Sequence, residues 1–454
     1  MSPNRPVTEI TLAPIDRGFS AWATVVASSA LGCLVWGFPN SSGALLAEYM
    51  KDPLYSSQKN AASTLPLIGT LSTGILYCSG IIIYPPIYYY PRLRKIYLWS
   101  GVFICFPSLL GASYTTNVKL LIVLQGVVYS IGASLVYYPI LSYLSEWFVQ
   151  RRGLASGIVV AADNIGGVLF PIIIPTLVKH FGIMITTRIY AVMLAVCLLP
   201  AVPFMKARLP ESRVGSPTRH PATRSWVHDR RFWFFVTINT IQGFAHFVPL
   251  TWLPTFATSL GLTTSQASLT LTLANATSII AGFVVGWLSD RCNIWALAST
   301  LLLLSSLATL MLWGVASFSF AGVLAYGAVY GVTAGSWSSL WSGFVRPLAL
   351  GDPSVATTII NLMMFSRGVG SIASTPISTA LQHSKLVVAL GSGVTKTGFA
   401  VDGGRYTAVI IYTGACFACA ASVTVLGWIF DKRRGIGGAE EACDVFRDRI
   451  TEKA

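Results

Sequence analysis

Trp147-Phe148-Val149-Gln150-Arg151-Arg152-Gly153-Leu154-Ala155-Ser156-Gly157 leads into an apolar run interrupted by Gly166-Gly167 and Pro171. Two adjacent arginines stand at a helix start, and small residues recur behind them. Arginines at such a point hold a helix end at the membrane surface, and small residues let neighbouring backbones pack closely. The stretch therefore predicts a helix that enters a bilayer from its basic side. It also sets the frame for reading the rest of the chain.

Composition agrees. The chain has 454 residues, of which 54% are hydrophobic and 11% charged, with a mean hydropathy of +0.65. A soluble domain carries roughly a quarter charged residues. Small residues and prolines inside the apolar runs fit many-helix membrane proteins, whereas a barrel shows short alternating strands.

A span needs about 20 apolar residues. Twelve candidates follow: 22–47, 62–86, 96–113, 118–144, 154–178, 184–204, 232–257, 267–289, 294–316, 319–345, 354–382 and 406–430. The expected fold class is an all-α membrane protein with two pseudo-symmetric six-helix halves, 22–205 and 232–430. The flanks are an amino-terminal segment 1–21, a basic, proline-containing linker 206–231 and a tail 431–454. The halves echo each other weakly: Gly166-Gly167 precedes Pro171, and Gly368-x-Gly370 precedes Pro376.

The net charge of +14 invites a nucleic-acid reading, but its distribution opposes one. Of 31 Lys and Arg, 22 lie in the amino terminus, the even-numbered loops and the tail; eight lie in or beside the odd-numbered loops, and one within a span. This bias predicts that both termini and the linker face the cytoplasm. The expected partners are the lipid bilayer, a small-molecule substrate and protons, with no nucleic acid. The plasma membrane is the expected location.

The first twenty residues are polar, and the apolar run after them is too long for a signal-peptide core, so it reads as a retained helix. The sequons at Asn40 and Asn275 fall inside predicted helices, where glycosylation is not expected. Seven of eight cysteines lie in or beside apolar segments and Cys443 lies in the tail, so no structural disulfide is expected. Cys416-x-x-Cys419 reads as small residues in a packed helix. Five scattered histidines offer no metal cluster, and no nucleophile–base constellation appears. No cofactor, metal or enzymatic activity is expected.

The opening stretch resembles the helix-5 signature of the monocarboxylate porter family of the major facilitator superfamily, Tyr-Phe-x-x-Arg-Arg-x-Leu-Ala-x-Gly. Phe148, Arg151, Arg152, Leu154, Ala155, Gly157 and Gly166 match, while Trp147, Val159 and Ala162 depart from it. Asp16-Arg17-Gly18-Phe19-Ser20-Ala21-Trp22 resembles the fungal version of the family's helix-1 entry, with Asp16, Gly18 and Trp22 matching. Tyr90-Pro91-Arg92-Leu93-Arg94 is similar to the fungal loop between helices 2 and 3, and that loop contains no acid. Gly286-Trp287-Leu288-Ser289-Asp290-Arg291 resembles the superfamily's Gly-x-x-x-Asp-Arg loop. The resemblance implies a gate in which Asp290 and Arg291 face the start of helix 5 at Arg151 and Arg152. Its physical basis is a carboxylate set against the positive end of a helix; the bland alternative is an ordinary polar loop end.

Three charges of the animal porters are missing. Their helix-1 Lys is Asn40, and their helix-8 Asp and Arg are Ser278 and Gly282. The animal mechanism of proton–lactate symport is therefore not expected. Polar residues left inside spans are costly and commonly face a cavity or a partner. Arg367 lies 13 residues into its predicted helix, about 20 Å deep at 1.5 Å per residue. It reads either as the partner of a substrate anion or as half of a structural ion pair. Asp163 is the candidate proton site, with a structural role as the alternative. Asn40, His246 and Asn361 are candidate substrate contacts. Tyr137, Tyr138, Trp337 and Trp341 lie on helices 4 and 10, which line the cavity in the family fold; they suit an apolar or ring-bearing substrate, or plain packing.

The resemblance implies a secondary transporter that works by rocking two halves about a site near mid-membrane. The expected substrate is a small organic acid or weakly acidic metabolite. Two alternatives stand beside it: export of a larger fungal secondary metabolite, and a membrane sensor that binds a ligand without moving it.

Overall fold

The computed structural model describes residues 14, 16–148, 151–208, 225–289, 291–349, 353–382 and 396–451, excluding the side chains of 145, 152–154, 225, 353, 354 and 434–451. No strand occurs among them. The long helices of the first half are α1 (Phe19–Lys51), α2 (Ala61–Tyr89), α3 (Leu93–Ala112), α4 (118–147), α5 (152–181) and α6 (183–201). Those of the second half are α7 (Arg230–Ser259), α8 (Thr264–Ser289), α9 (Ile294–Ala316), α10 (320–349), α11 (Pro353–Gln382) and α12 (Thr407–Thr451).

Nine helical stretches among the described residues are long and apolar enough to cross a bilayer. The difference from the twelve expected spans has physical reasons. Ala155–Phe204 is one of the nine, yet Gly182 divides it into α5 and α6. Gly182 holds φ 78° and ψ 167°, a conformation that glycine reaches without a Cβ penalty. Helix α7 carries Asn239, Gln242 and His246, and α10 is interrupted by a 3₁₀ segment, Gly335–Leu340; neither is among the nine.

Within the halves, α1 packs against α5 and α6, α3 against α4, α7 against α11 and α12, and α8 against α10, and one main hydrophobic core runs through both halves. The halves meet mainly through α1 with α7, α2 with α11, and α5 with α8, with smaller contacts of α1 with α8 and α2 with α7. Hydrogen bonds cross this seam, from Asn275 Nδ2 to the Gly167 carbonyl at 2.9 Å and from Thr272 Oγ1 to the Val168 carbonyl at 3.3 Å. At the end where α1 finishes, Lys51 Nζ donates to Thr264 Oγ1. Large apolar side chains stand on the outer surface, among them Ile82, Phe103, Val196 and Ile280, each more than 60% exposed. Such a surface suits lipid and not water. Buried hydroxyls bond back to their own helix, as Thr73 does to the Gly69 carbonyl at 2.8 Å, so few are left unsatisfied where water is absent.

The two segments that carried the resemblance pack on each other. Asp16 Oδ1 accepts the Arg151 backbone N–H at 2.9 Å, and the Asp16 N–H donates to the Trp147 carbonyl at 3.0 Å. The Trp22 and Phe148 rings meet edge to face at 5.5 Å. Asp16 thus caps α5 and places an acid beside the paired arginines. The acid-free loop between α2 and α3 finds its acid elsewhere: buried Arg94 pairs with Glu146 of α4.

Candidate substrate site

Asn239, Gln242 and His246 share one face of α7, spaced by three and four residues. All three are buried. Asn239 Oδ1 accepts both the Trp337 Nε1–H at 2.9 Å and the Trp341 Nε1–H at 3.0 Å. Its Nδ2 donates to the Met363 carbonyl at 2.8 Å and to Ser366 Oγ at 2.7 Å. One amide therefore locks two indoles of α10 to α11. The 3₁₀ segment that carries Trp337 leads directly into Trp341.

Arg367 of α11 lies beside that lock and is 2% exposed. Its Nη1 donates to Gln242 Oε1 at 3.1 Å. Three rings surround the guanidinium, with centroids from its Cζ at 5.7 Å for Phe247, 5.9 Å for Trp341 and 6.0 Å for Tyr77. Rings at this range stabilise a cation, and the Tyr77 hydroxyl also accepts a hydrogen bond from the guanidinium. Arg367 has no carboxylate partner among the described residues, and its Nε–H is buried without an acceptor. With Nη1 engaged by Gln242, the Nε edge remains for a planar anion.

Tyr77 belongs to α2, so this cage draws on both halves. The Tyr77 ring meets Trp36 of α1 at 4.9 Å, and Trp36 meets Tyr137 of α4 at 5.5 Å. The Tyr137 hydroxyl donates to Asp163 Oδ2 at 3.1 Å. Asn40 Nδ2 donates to the Asp163 carbonyl at 3.3 Å. Asp163 Oδ1 lies against the backbone of Gly32, where a Cβ would collide with it. That oxygen and Trp36 Nε1 are buried with no hydrogen-bond partner. A wall of aromatic rings thus runs from a lone carboxyl in one half to a lone guanidinium in the other.

Of the residues expected at a site, Arg367, Trp341, Tyr137, Asp163 and Asn40 come together along this wall. Trp337 joins through Asn239. His246 is tied to α10: its Nδ1 lies 2.9 Å from the Tyr330 hydroxyl, which also donates to the His246 carbonyl. Tyr138 directs its hydroxyl to the carbonyls of Leu76 at 2.9 Å and Tyr77 at 3.2 Å, which fixes α2 and leaves no free polar group. Asn361 is buried in α11, nearer its start. Arg151 is exposed, and Arg291 stacks over the Trp287 ring at 4.0 Å. Asp290 and the side chain of Arg152 lie outside the described residues.

Sequence reasoning did not select Trp36, Tyr77, Gln242, Phe247 or Asn239 as site residues. The spacing of 239, 242 and 246 along one helix face was an available signal for two of them. Trp36 and Asn40, four residues apart on α1, offered another.

Two membrane-embedded halves with a polar, ring-lined seam between them define a carrier of small molecules. Residues 25–375 match the Major Facilitator Superfamily, and the chain belongs to that family. It is 25% identical over 366 residues to the MFS-type transporter pynF of Aspergillus niger, covering 81% of this chain and 82% of that one. It is 24% identical to the aspyridones efflux protein apdF of Emericella nidulans, covering 81% of this chain and 72% of the relative. The fold is similar to the crystal structure of a D-xylose–proton symporter, with a TM-score of 0.66 at 15% identity, over 89% of this chain and 97% of that one. The chain is therefore an integral, multi-pass transporter with a small-molecule substrate in a lipid environment, and not an enzyme.

Proposed function

We propose that this transporter moves a weakly acidic organic metabolite by alternating access, and that it belongs to the fungal-type monocarboxylate porter branch of its superfamily. The observation that carries this reading is Arg367, a buried guanidinium ringed by Tyr77, Phe247 and Trp341 with its Nε–H unanswered. An anion supplies the missing acceptor, and the rings favour a substrate with a planar face. Asp163, with one oxygen unpartnered, supports a proton-binding role in the same cycle. Both termini and the segment 206–231 face the cytoplasm of the plasma membrane in this reading, as the distribution of basic residues supports.

Export is the favoured direction, because one relative bears the name of an efflux protein for a metabolite. A panel of labelled aliphatic acids, ring-bearing acids and neutral ring compounds, assayed in a transporter-deficient yeast with and without a proton gradient, tests the proposal. Saturable flux of ring-bearing acids is expected. Saturable flux of neutral compounds alone would overturn the anion reading, and binding without flux would make the protein a sensor.

A further inference from the structure

Helix α10 is broken beside the cage by the 3₁₀ segment Gly335–Leu340. A 3₁₀ turn has poorer hydrogen bonds than the α-helix on either side of it. The Ala334 carbonyl, which opens the break, receives the Trp337 N–H at 3.4 Å. It is also met by the Gln242 Nε2–H of α7 at 3.4 Å. Helix α7 therefore holds α10 at three levels. His246 meets Tyr330 ahead of the break, Gln242 bonds the break itself, and Asn239 bonds Trp337 and Trp341 within and after it. Gln242 is the rung that also bonds Arg367, whose Nη1 donates to its Oε1 at 3.1 Å. It is fully buried. Its amide is planar, so turning one end turns the other.

The surroundings decide what can yield. Helices α7 and α11 touch backbone to backbone: a Cβ on Gly370 would lie 2.7 Å from the Gly243 carbonyl carbon. The part of α10 ahead of the break is seated on α8, where a Cβ on Gly331 would collide with the Ala274 carbonyl. The break is left as the compliant element among these close contacts.

We infer that Gln242 is a positioning residue that couples Arg367 to the break in α10. With both ends engaged, its amide holds the guanidinium and the Ala334 carbonyl in one arrangement. When Arg367 turns toward an anion, the amide turns with it and the break loses a donor. The later part of α10, which carries Trp341 into the cage, is then released. The inference rests on the anion reading for what moves Arg367, but the coupling itself exists without cargo.

Hydrogen exchange of the full-length protein in detergent, without cargo and read by mass spectrometry on peptides covering 335–341, tests this. Local opening sets the exchange rate there. Arg367→Met and Gln242→Met should each speed exchange in this segment by roughly 2- to 12-fold, the factor for one ordinary hydrogen bond. The double variant should match Gln242→Met alone. Gln242→Glu keeps an acceptor for Arg367 but, ionised, offers the Ala334 carbonyl no donor, so it should speed exchange as Gln242→Met does. Arg367→Lys keeps a cationic donor and should speed it less than Arg367→Met. Exchange in α3 should stay at the wild-type rate throughout. An Arg367→Met effect of the same size in the Gln242→Met background would route the coupling through Trp341 and overturn the inference. Unchanged exchange in Gln242→Met would overturn it too. Faster exchange across α3 and α7 as well as α10 would show a general loosening of the fold and would equally overturn it. Failure of the anion reading is seen separately, as flux of neutral compounds alone, and leaves these exchange rates as they are.

Discussion

The Tyr137 hydroxyl donates to Asp163 Oδ2 at 3.1 Å, while Asp163 Oδ1 is buried with no donor facing it. Tyr137 fixes the carboxyl and leaves one oxygen without a partner, which is the basis of the proton-binding role proposed for Asp163. Removing the carboxyl's ability to ionise should separate binding from coupling. Asp163→Asn keeps the shape and the contact to Tyr137. Exchange of labelled for unlabelled substrate across proteoliposomes should continue in this variant. Accumulation driven by an imposed proton gradient should fall to the level of empty vesicles. Gradient-driven accumulation at the wild-type rate would remove Asp163 from the coupling step.

Arg367 tests the anion reading. Arg367→Lys keeps a charge but loses the planar fork, and Arg367→Gln loses both. A hydrogen bond to a charged group contributes about 1.5–3 kcal/mol, which corresponds to roughly 10- to 150-fold in affinity. KM for an anionic substrate should rise in that range for Gln and less for Lys. A neutral ring-bearing analogue should be affected less. Equal losses for charged and neutral substrates, with poor yield of folded protein, would show that Arg367 holds the helices together and does not bind cargo.

Asn239 should act on both stability and selectivity. Its one oxygen satisfies two indole N–H groups, so Asn239→Leu leaves both donors buried and unanswered. Each such loss costs about 1–3 kcal/mol. Thermal unfolding in detergent should shift down, and Trp341 should lose its fixed position beside Arg367. Selectivity for ring-bearing over aliphatic acids should narrow, read as the ratio of kcat/KM values. Asn239→Asp keeps the acceptor oxygen and should retain more of that ratio than Leu. An unchanged ratio in both variants would leave Asn239 as a packing residue alone.

Much of the fold was legible because it follows from local rules. Apolar length gives the helices, basic residues give their ends, and Gly182 falls between the spans expected at 154–178 and 184–204. Arg367 stood out because no other Lys or Arg lies deep in a predicted span. The partners were less legible. Arg94 and Glu146 are 52 positions apart, and no spacing rule joins them. Asn239 looked like one more polar residue on α7, since its role depends on two indoles that only the packing of α10 brings to it. Trp36 and Tyr77 carry no charge to single them out, and only the seam between the halves places them between Asp163 and Arg367.

The seal at the end of α1 yields a test of the two-state cycle. Gly43 faces the Leu250 carbonyl of α7 so closely that a Cβ on Gly43 would collide with backbone. The Lys51–Thr264 hydrogen bond closes the same end. Backbone cannot rotate aside as a flexible side chain does, so Gly43→Ala must push α1 and α7 apart at this end. Overpacking of this kind costs about 1–3 kcal/mol, and it falls on the sealed state alone. The population should therefore shift toward the state open at this end, by roughly 5- to 150-fold. Spin labels at Lys59→Cys and Ser265→Cys, both exposed and on opposite halves, report the separation directly. The distance distribution measured by pulsed electron resonance should move to longer values in Gly43→Ala, with the wild-type peak reduced. A distribution unchanged from wild type, in protein of normal yield, would mean that the α1–α7 contact does not gate this end.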